Sequence, residues 1–457
     1  LTMKLVKSNK QKTYEHIFKA AKENDKQAFR DLFLRLHDRD QHEVFHLLYP
    51  DKKRKISDFL TPEEFAEIFE WMETEDQEAA VQYLPDAYMA EVFNTMAADD
   101  VARFLAESEE TDNQTLLDMM DEEESQRVQE IMAYEAETAG SIMTKEFIAI
   151  QNKESMAEVV KRLRKIGREA ETIYYLYVID DKERLVGVLS LRDLLLSPED
   201  EIVEDIMFNQ VVSVKVSDDQ EHVARVIQDY DLLAVPVLGF NGTMQGIVTV
   251  DDVMDIIEEE TTEDFNEFAA ISRGDEDRRK PSPLSTAKSR IPWIVVLLFL
   301  GMITGGLIGI FEETLESVVL LAAFMPIMMG TAGNVGTQSL AVAVRNLTID
   351  DDRDKDSFFQ TIKNELGAGM IMGLIAGLVM IGIVVVIYGN PVLAFIIAVS
   401  MFITVSLATV IGTTIPTIIN KFKIDPAVAS GPFITTINDS LSLIIYFTIA
   451  TMLIEFL

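Results

Sequence analysis

Beyond Arg290 the chain is dominated by five long apolar segments: Ile291 to Phe311, Val318 to Val344, Leu366 to Tyr388, Val392 to Ile419 and Val428 to Ile454. A hydrocarbon core of about 30 Å is crossed by roughly 20 helical residues, so each segment is long enough to span a membrane. Backbone in lipid must satisfy its own polar groups, which makes runs of this length helices. The loops orient them. Lys280, Lys288 and Arg290 precede the first span, Arg345, Arg353, Lys355 and Lys363 separate the second from the third, and Lys421 and Lys423 separate the fourth from the fifth. The loops Glu312 to Glu316 and Gly389 to Pro391 contain no base. Positive-inside bias therefore places the first 290 residues in the cytoplasm and the C-terminus outside.

The spans carry more than a plain anchor needs. Gly301, Gly305 and Gly309 recur every four residues, as do Gly369, Gly373 and Gly377, giving small-residue faces on which helices pack closely. The second span holds Pro326, Gly330, Gly333 and Gly336 beside Asn334, Thr337, Gln338 and Ser339, which predicts a helix broken or kinked in mid-membrane. Irregular backbone at that depth is tolerated only where it is buried or lines water. Polar residues continue in the fourth span (Ser406, Thr409, Thr413, Thr414, Thr417) and the fifth (Thr435, Thr436, Asn438). Two readings are open: convergence on one pore, with Asn334, Thr337 and Asn438 among its lining, or hydrogen bonding between helices.

Asp439 lies inside the fifth apolar run, with no base in that run to neutralise it. An acid in hydrocarbon is expensive, so it should face a protein-lined, wet interior that a cation can reach; the alternative is an acid bonded to a hydroxyl of a neighbouring helix. With the run starting at the membrane surface near Asp425, Asp439 lies about 20 Å deep at the helical rise of roughly 1.5 Å per residue.

Residues 1 to 290 contain 64 acids against 34 bases, a net charge of −30. Such a polyanion repels nucleic acid and anionic headgroups and attracts multivalent cations, although an acidic surface also simply aids solubility. The absence of cysteine excludes disulfides and thiolate metal sites. The polar N-terminal stretch lacks the apolar core of a cleaved signal peptide.

The cytoplasmic half contains a repeat. Ser141-Ile-Met143-Thr144 opens one unit, which ends in Leu185-Val-Gly187-Val-Leu-Ser190-Leu-Arg192-Asp193. Asp205-Ile-Met207-Phe208 opens the second, which ends in Gln245-Gly246-Ile-Val-Thr249-Val-Asp-Asp252. Tyr174 to Ile179 and Ala234 to Leu238 read as strands, Met156 to Ile166 and His222 to Tyr230 as amphipathic helices. The pattern resembles a tandem CBS pair, an α+β regulatory module at residues 137–258. In that family the hydroxyl and the acid three residues on, here Ser190 with Asp193 and Thr249 with Asp252, commonly face an adenosine ribose. Tyr175 and Arg192 would stack on adenine and pair with phosphate. The same hydroxyls are equally suited to capping the helix that follows.

Residues 1–136 are helical in pattern, with short amphipathic segments such as Pro62 to Met72, Asp86 to Met96 and Asp99 to Glu107. Asp251 to Ala270 predicts an acidic helix, and the charged, Pro-containing stretch Ser272 to Arg290 a hinge before the membrane domain, residues 291–457. The acids of these helix starts also suit first-turn capping.

With Gly-Thr-Ala-Gly-Asn-Val-Gly-Thr-Gln-Ser at 330–339 and Asp-Pro-Ala-Val-Ala-Ser-Gly-Pro at 425–432 ahead of Asp439, the chain resembles the MgtE-type magnesium channels over essentially its whole length. The resemblance implies a polytopic α-helical membrane protein, five spans per subunit, N-in and C-out, with a cytoplasmic all-α superhelical domain and the CBS pair. It implies a homodimer in the plasma membrane with one central pore, Asp439 as the selectivity carboxylate and the Thr435 carbonyl as an auxiliary ligand. It further implies closure by cytoplasmic Mg2+ at Glu67 and Asp99 of the helical domain, Glu221, Asp231, Asp252 and Asp255 of the second CBS unit, and Glu260 and Glu263 of the connecting helix 259–290. ATP is the adenine nucleotide expected at the CBS pair. Two departures stand out: Arg103 takes a position where an acid would extend a site, and Gly431 offers no side-chain ligand. Rival classes are a nucleotide-sensing membrane receptor, a gradient-coupled divalent cation transporter and a membrane enzyme. For the last, the spans supply no P-loop, no nucleophile with paired carboxylates and no histidine.

Overall fold

A computed structural model describes residues 2–72, 74–108, 113–167, 170–272, 283–349, 355–422 and 425–456. Lys280, Arg353, Lys423 and most of the Ser272 to Arg290 hinge lie outside the described residues. The chain divides into two compact units, Leu1–Glu258 and Glu259–Leu457.

The first unit opens with α1 (Thr2–Glu23), α2 (Lys26–Phe33), α3 (Asp38–Leu47), α4 (Pro50–Lys53), α5 (Pro62–Phe69), α6 (Thr74–Tyr83), α7 (Asp86–Thr95), α8 (Ala98–Glu107), α9 (Asn113–Met119) and α10 (Glu122–Met132). Their buried faces share one core along an aromatic run: Phe29 on Phe33 at 4.9 Å, Phe45 on Phe65 at 5.5 Å, Phe69 on Phe104 at 5.5 Å. The capping chemistry is real. The Thr61 hydroxyl accepts from the Glu64 amide while the Glu64 carboxylate accepts from the Thr61 amide, satisfying two free N–H groups at the start of α5.

The repeat folds as two matching units. In the first, β1 (Ala149–Gln151) and α11 (Met156–Ile166) precede β2 (Tyr175–Ile179), β3 (Leu185–Ser190) and α12 (Leu191–Leu196), and α13 (Val203–Ile206) follows. In the second, β4 (Val214–Lys215) and α14 (Gln220–Asp229) precede β5 (Ala234–Leu238), β6 (Met244–Thr249) and α15 (Val250–Phe268). Both sheets pair their first two strands parallel and the last two antiparallel. The opening segments are exchanged: Thr144 bridges Ile247 of the second unit, and Phe208 bridges Val188 of the first. Gly187 and Gly246 permit this, because a Cβ on either would come within 2.5 Å of the Met207 sulfur or 2.6 Å of the Thr144 carbonyl. Each unit thus completes the other.

Among its described residues the second unit holds five helices long and apolar enough to cross a membrane. They are α16 (Pro283–Ile310), followed by the short α17 (Glu312–Ser317); α18 (Met325–Ile349), preceded by a 3₁₀ turn at Val319–Phe324; α19 (Lys355–Tyr388); α20 (Pro391–Lys421); and α21 (Gly431–Met452). Leu298, Phe299, Met302 and Ile303 of α16 and Ile371, Leu374, Ile375 and Leu378 of α19 are exposed, an apolar surface suited to lipid. The buried side chains of α20 and α21 form the centre.

The expected break in the second span is absent: α18 is continuous, and its irregular backbone is the 3₁₀ turn at its outer end. Pro326 falls in the first helical turn, where its missing N–H costs nothing. The turn is tied down by the Tyr446 hydroxyl, which donates to the Leu321 carbonyl at 3.0 Å. Of the glycine stripes, Gly369, Gly373 and Gly377 pack on α20, while Gly301, Gly305 and Gly309 of α16 have nothing within 4 Å of an added Cβ.

Candidate functional site

The membrane site is built where α18 and α21 run antiparallel. Gly333 lies against Thr435 and Asp439, Gly336 against Ile434 and Asn438, and Thr337 against Gly431. A Cβ on Gly333 would stand 2.7 Å from Thr435 Cγ2 and 3.3 Å from Asp439 Oδ1. Glycine here allows backbone contact, which is why several sit in one helix despite costing about 1 kcal/mol each in propensity. Asp439 is half-buried, and its Oδ1 has no hydrogen-bond partner. Thr435, one turn earlier on the same face, donates its hydroxyl to the Gly431 carbonyl at 2.9 Å.

The path to Asp439 is shorter than the sequence implies. Pro426–Val428 is a 3₁₀ turn and the helix begins at Gly431, so Asp439 stands about 12 Å along α21 rather than about 20 Å. Asn334 is exposed, and its carbonyl accepts from the half-buried Thr337 at 2.9 Å. Asn438 differs: it is 1% exposed, turned against Gly336 with both polar side-chain atoms unpartnered, so it does not lie on an open face of this chain. On α20, Ser400, Ser406, Thr413 and Thr417 donate to carbonyls one turn back, and Ser400, Ser406, Thr409 and Thr413 are buried. The hydroxyls of Ser400, Ser406, Thr413 and Thr417 serve the helix itself.

One polar group escaped the sequence reading. Glu365 precedes the third apolar run by a single residue, and its carboxylate accepts from Ser339 of α18 at 2.8 Å while its carbonyl accepts from Thr409 of α20 at 3.0 Å.

In the first unit, acids from five stretches of chain crowd together, Glu70, Asp99 with Asp100, Glu146, Glu171, and Asp252 with Asp255. Burial raises Asp99 well above the ordinary carboxylate range, reinforced by Asp100 and Asp252, and Asp100 is raised in the same way. Glu70, which still reaches solvent, is pushed up to about 8 by loss of surrounding water and then by Asp100, Glu171, Glu67 and Glu146. Glu146, half-buried, is also raised, and so are Glu171 and Asp255, which reach solvent; in each the loss of surrounding water comes first and neighbouring acids add to it. Arg103 stands among them, 3.3 Å from Asp100 and 3.4 Å from Asp252. Asp252 is doubly engaged, since its other oxygen accepts from the Thr249 hydroxyl at 2.6 Å. Asp99 is 6% exposed with Oδ1 unpartnered, the kind of orphaned oxygen that a cation satisfies. Yet among the described residues no three acidic or histidine side chains enclose a metal position.

The structure does not gather all the expected sensor acids. Glu67 is exposed and feels Asp38 and Glu64. Glu221 starts α14 and pairs with Arg225 at 3.2 Å, while Asp231 follows the far end of that helix in a left-handed turn, about 15 Å away. Glu260 and Glu263 belong to the second unit. Glu70, Asp100, Glu146 and Glu171, which the structure brings in, were visible only as neighbours of residues already singled out or not at all.

Comparison with known proteins decides the family. Residues 325–449 match the divalent cation transporter model MgtE, residues 36–137 the MgtE intracellular N domain, and residues 139–199 and 203–259 the CBS domain. The chain is 38% identical over 96% of its length to the magnesium transporter MgtE of Enterococcus faecalis, covering 97% of that protein. It is 40% identical over 93% of its length to that of Bacillus subtilis, covering 94% of it. The chain belongs to the MgtE family of magnesium transporters. Like its MgtE relatives it is a multi-pass membrane protein, with an intracellular N-terminal part. Two solved structures resemble that part: the soluble part of a magnesium transporter (TM-score 0.53, 35% identity, 55% of this chain and 99% of that one), and the cytosolic domain of the Mg2+ channel MgtE in complex with ATP (TM-score 0.51, 34% identity, 53% and 99%).

In this MgtE chain the nucleotide candidates are brought together. Tyr175 stands directly across from Ser190 in the β2–β3 register, with exposed Arg192 and Asp193 following in α12. Ser190 caps α12, accepting from the Asp193 amide at 3.1 Å and donating to its carboxylate at 2.6 Å. The capping role is therefore filled; Arg192 stays exposed, while the Tyr175 ring packs partly buried against Tyr177, Ala234 and Ile247.

Proposed function

We propose that this protein is a magnesium-selective channel, assembled as a homodimer, that admits Mg2+ across the plasma membrane past one Asp439 from each subunit. The observation that carries this reading is the half-buried Asp439 carboxylate with an unpartnered oxygen, set against Gly333 where two spans meet. Magnesium gives up its water reluctantly, so two carboxylates facing a dyad select it hydrated, through outer-shell acceptors, and release it fast enough to conduct. Thr435 supplies its carbonyl nearby, and Asn334 and Thr337 line the approach.

Cytoplasmic Mg2+ closes the channel. The acids of the helical domain, residues 1–136, and the CBS pair, residues 137–258, repel one another when close, and divalent ions remove that cost, with weak sites of about 10⁻⁴ to 10⁻³ M. Asp99, Asp252 and Asp255 hold these ions, joined by Glu67, Glu221 and Asp231, and Glu260 and Glu263 continue the response along the connecting helix. ATP binds at Tyr175, Ser190, Arg192 and Asp193 and biases the same equilibrium. Glu365 adds a second carboxylate to the bundle, which favours a gradient-coupled carrier as the second reading.

The test is Mg2+ current or uptake in proteoliposomes. Asp439→Ala abolishes it while the dimer stays folded; selective flux through that variant refutes the site, and dependence on a proton or sodium gradient replaces the channel with the carrier.

A further inference from the structure

We infer that Glu365 is a positioning residue for ion passage: by holding Ser339 it fixes the face of α18 that lies against Asp439. This rests on Asp439 being the selecting carboxylate. Between Asn334 and Ser339, among the described residues, Ser339 is the one whose side chain hydrogen-bonds another helix, and its acceptor is Glu365 at 2.8 Å. At Gly333 and Gly336 it is α21 that supplies the side chains, Thr435, Asp439, Ile434 and Asn438, so α18 itself offers only bare backbone there and no directional bond of its own.

Glu365 is itself well anchored. Its carbonyl accepts from the buried Thr409 at 3.0 Å, and one turn on, Gly369 packs so closely on α20 that a Cβ would stand 2.5 Å from Thr409 Oγ1. α18 meets α20 at the same level, where a Cβ on Gly412 would press on the Gly336 carbonyl and stand 3.1 Å from Ser339 Cβ. Three helices therefore lock at Ser339, Glu365 and Thr409. From Ser339 to Gly333 is about 9 Å along α18, less than two turns, so a rotation released at Ser339 is felt beside Asp439.

The experiment measures Mg2+ uptake by the full chain in proteoliposomes for Ser339→Ala, Glu365→Ala, Glu365→Gln and the double variant, with Asp439→Ala alongside. Ser339→Ala and Glu365→Ala raise the half-saturating Mg2+ concentration by roughly fivefold, the scale of one lost hydrogen bond. The double variant is no worse than either single, as expected for partners in one bond. Glu365→Gln, whose amide oxygen still accepts from Ser339, restores uptake close to the parent. Unchanged half-saturation in both alanine variants overturns the inference. So does a Glu365→Gln variant as impaired as Glu365→Ala, which makes the charge, not the bond, the working element. If Glu365→Ala does not fold, Ser339→Ala, which removes a single hydroxyl, decides. Selective uptake through Asp439→Ala sinks the underlying reading; loss there with parental behaviour at Glu365 and Ser339 sinks this inference alone.

Discussion

Gly333 of α18 faces Asp439 of α21 so closely that a methyl group on the glycine would come within 3.3 Å of the carboxylate Oδ1 and 2.7 Å of Thr435 Cγ2. The carboxylate that we propose as selective is thus backed by the smallest residue available. Gly333→Ala forces the two helices apart or turns the acid aside, and overpacking of this kind typically costs about 1–3 kcal/mol. We expect a loss of Mg2+ flux between about fivefold and a hundredfold, roughly the range those energies convert to. Gly330→Ala, where an added Cβ meets nothing within 4 Å of this chain, keeps its flux and serves as the control.

Arg103 supplies a fixed positive charge between Asp100 and Asp252. An exposed pair is worth only about 0–1 kcal/mol, so Arg103→Ala leaves the fold intact. It does leave two carboxylates without their counter-charge, which Mg2+ must then neutralise. Protease protection of the full chain against Mg2+ concentration should shift to two- to threefold higher Mg2+, within the span of that energy. An unshifted curve removes Arg103 from the electrostatic account.

Glu70, raised to about 8, and Asp99, Asp100, Glu146, Glu171 and Asp255, raised in the same direction, hold protons more tightly folded than unfolded. Folding then takes up protons, so stability falls as pH rises from the ordinary carboxylate range near 4.5 to about 8. In chelator, melting temperature should drop across that window and level off above it; added Mg2+ should flatten the slope. A melting temperature that rises through the same window contradicts the crowding of these acids.

Periodicity and composition read well wherever one local pattern decides. Met156 to Ile166 is a helix with those same bounds, Ala234 to Leu238 a strand, and the five spans follow from length and hydropathy. Reading failed where a residue's meaning depends on a distant neighbour. Gly333 and Gly336 look like breakers until α21 is laid against them, and a continuous α18 results. Asn438 looks like lining until Gly336 covers it, and Pro426–Val428 like helix until the turn forms. Glu365 was passed over because it marks the edge of an apolar run, although its bond to Ser339 draws it into the bundle.

The packing of α16 sets the order in which the membrane unit can be finished. Its buried Thr304 shares a 2.8 Å hydroxyl contact with Ser440, so the first span to leave the ribosome pairs with the last. During synthesis α16 waits in lipid or beside the translocon while well over a hundred residues are added behind it. A chain stopped short of Gly431 strands that helix, marking the product for quality-control proteolysis instead of assembly.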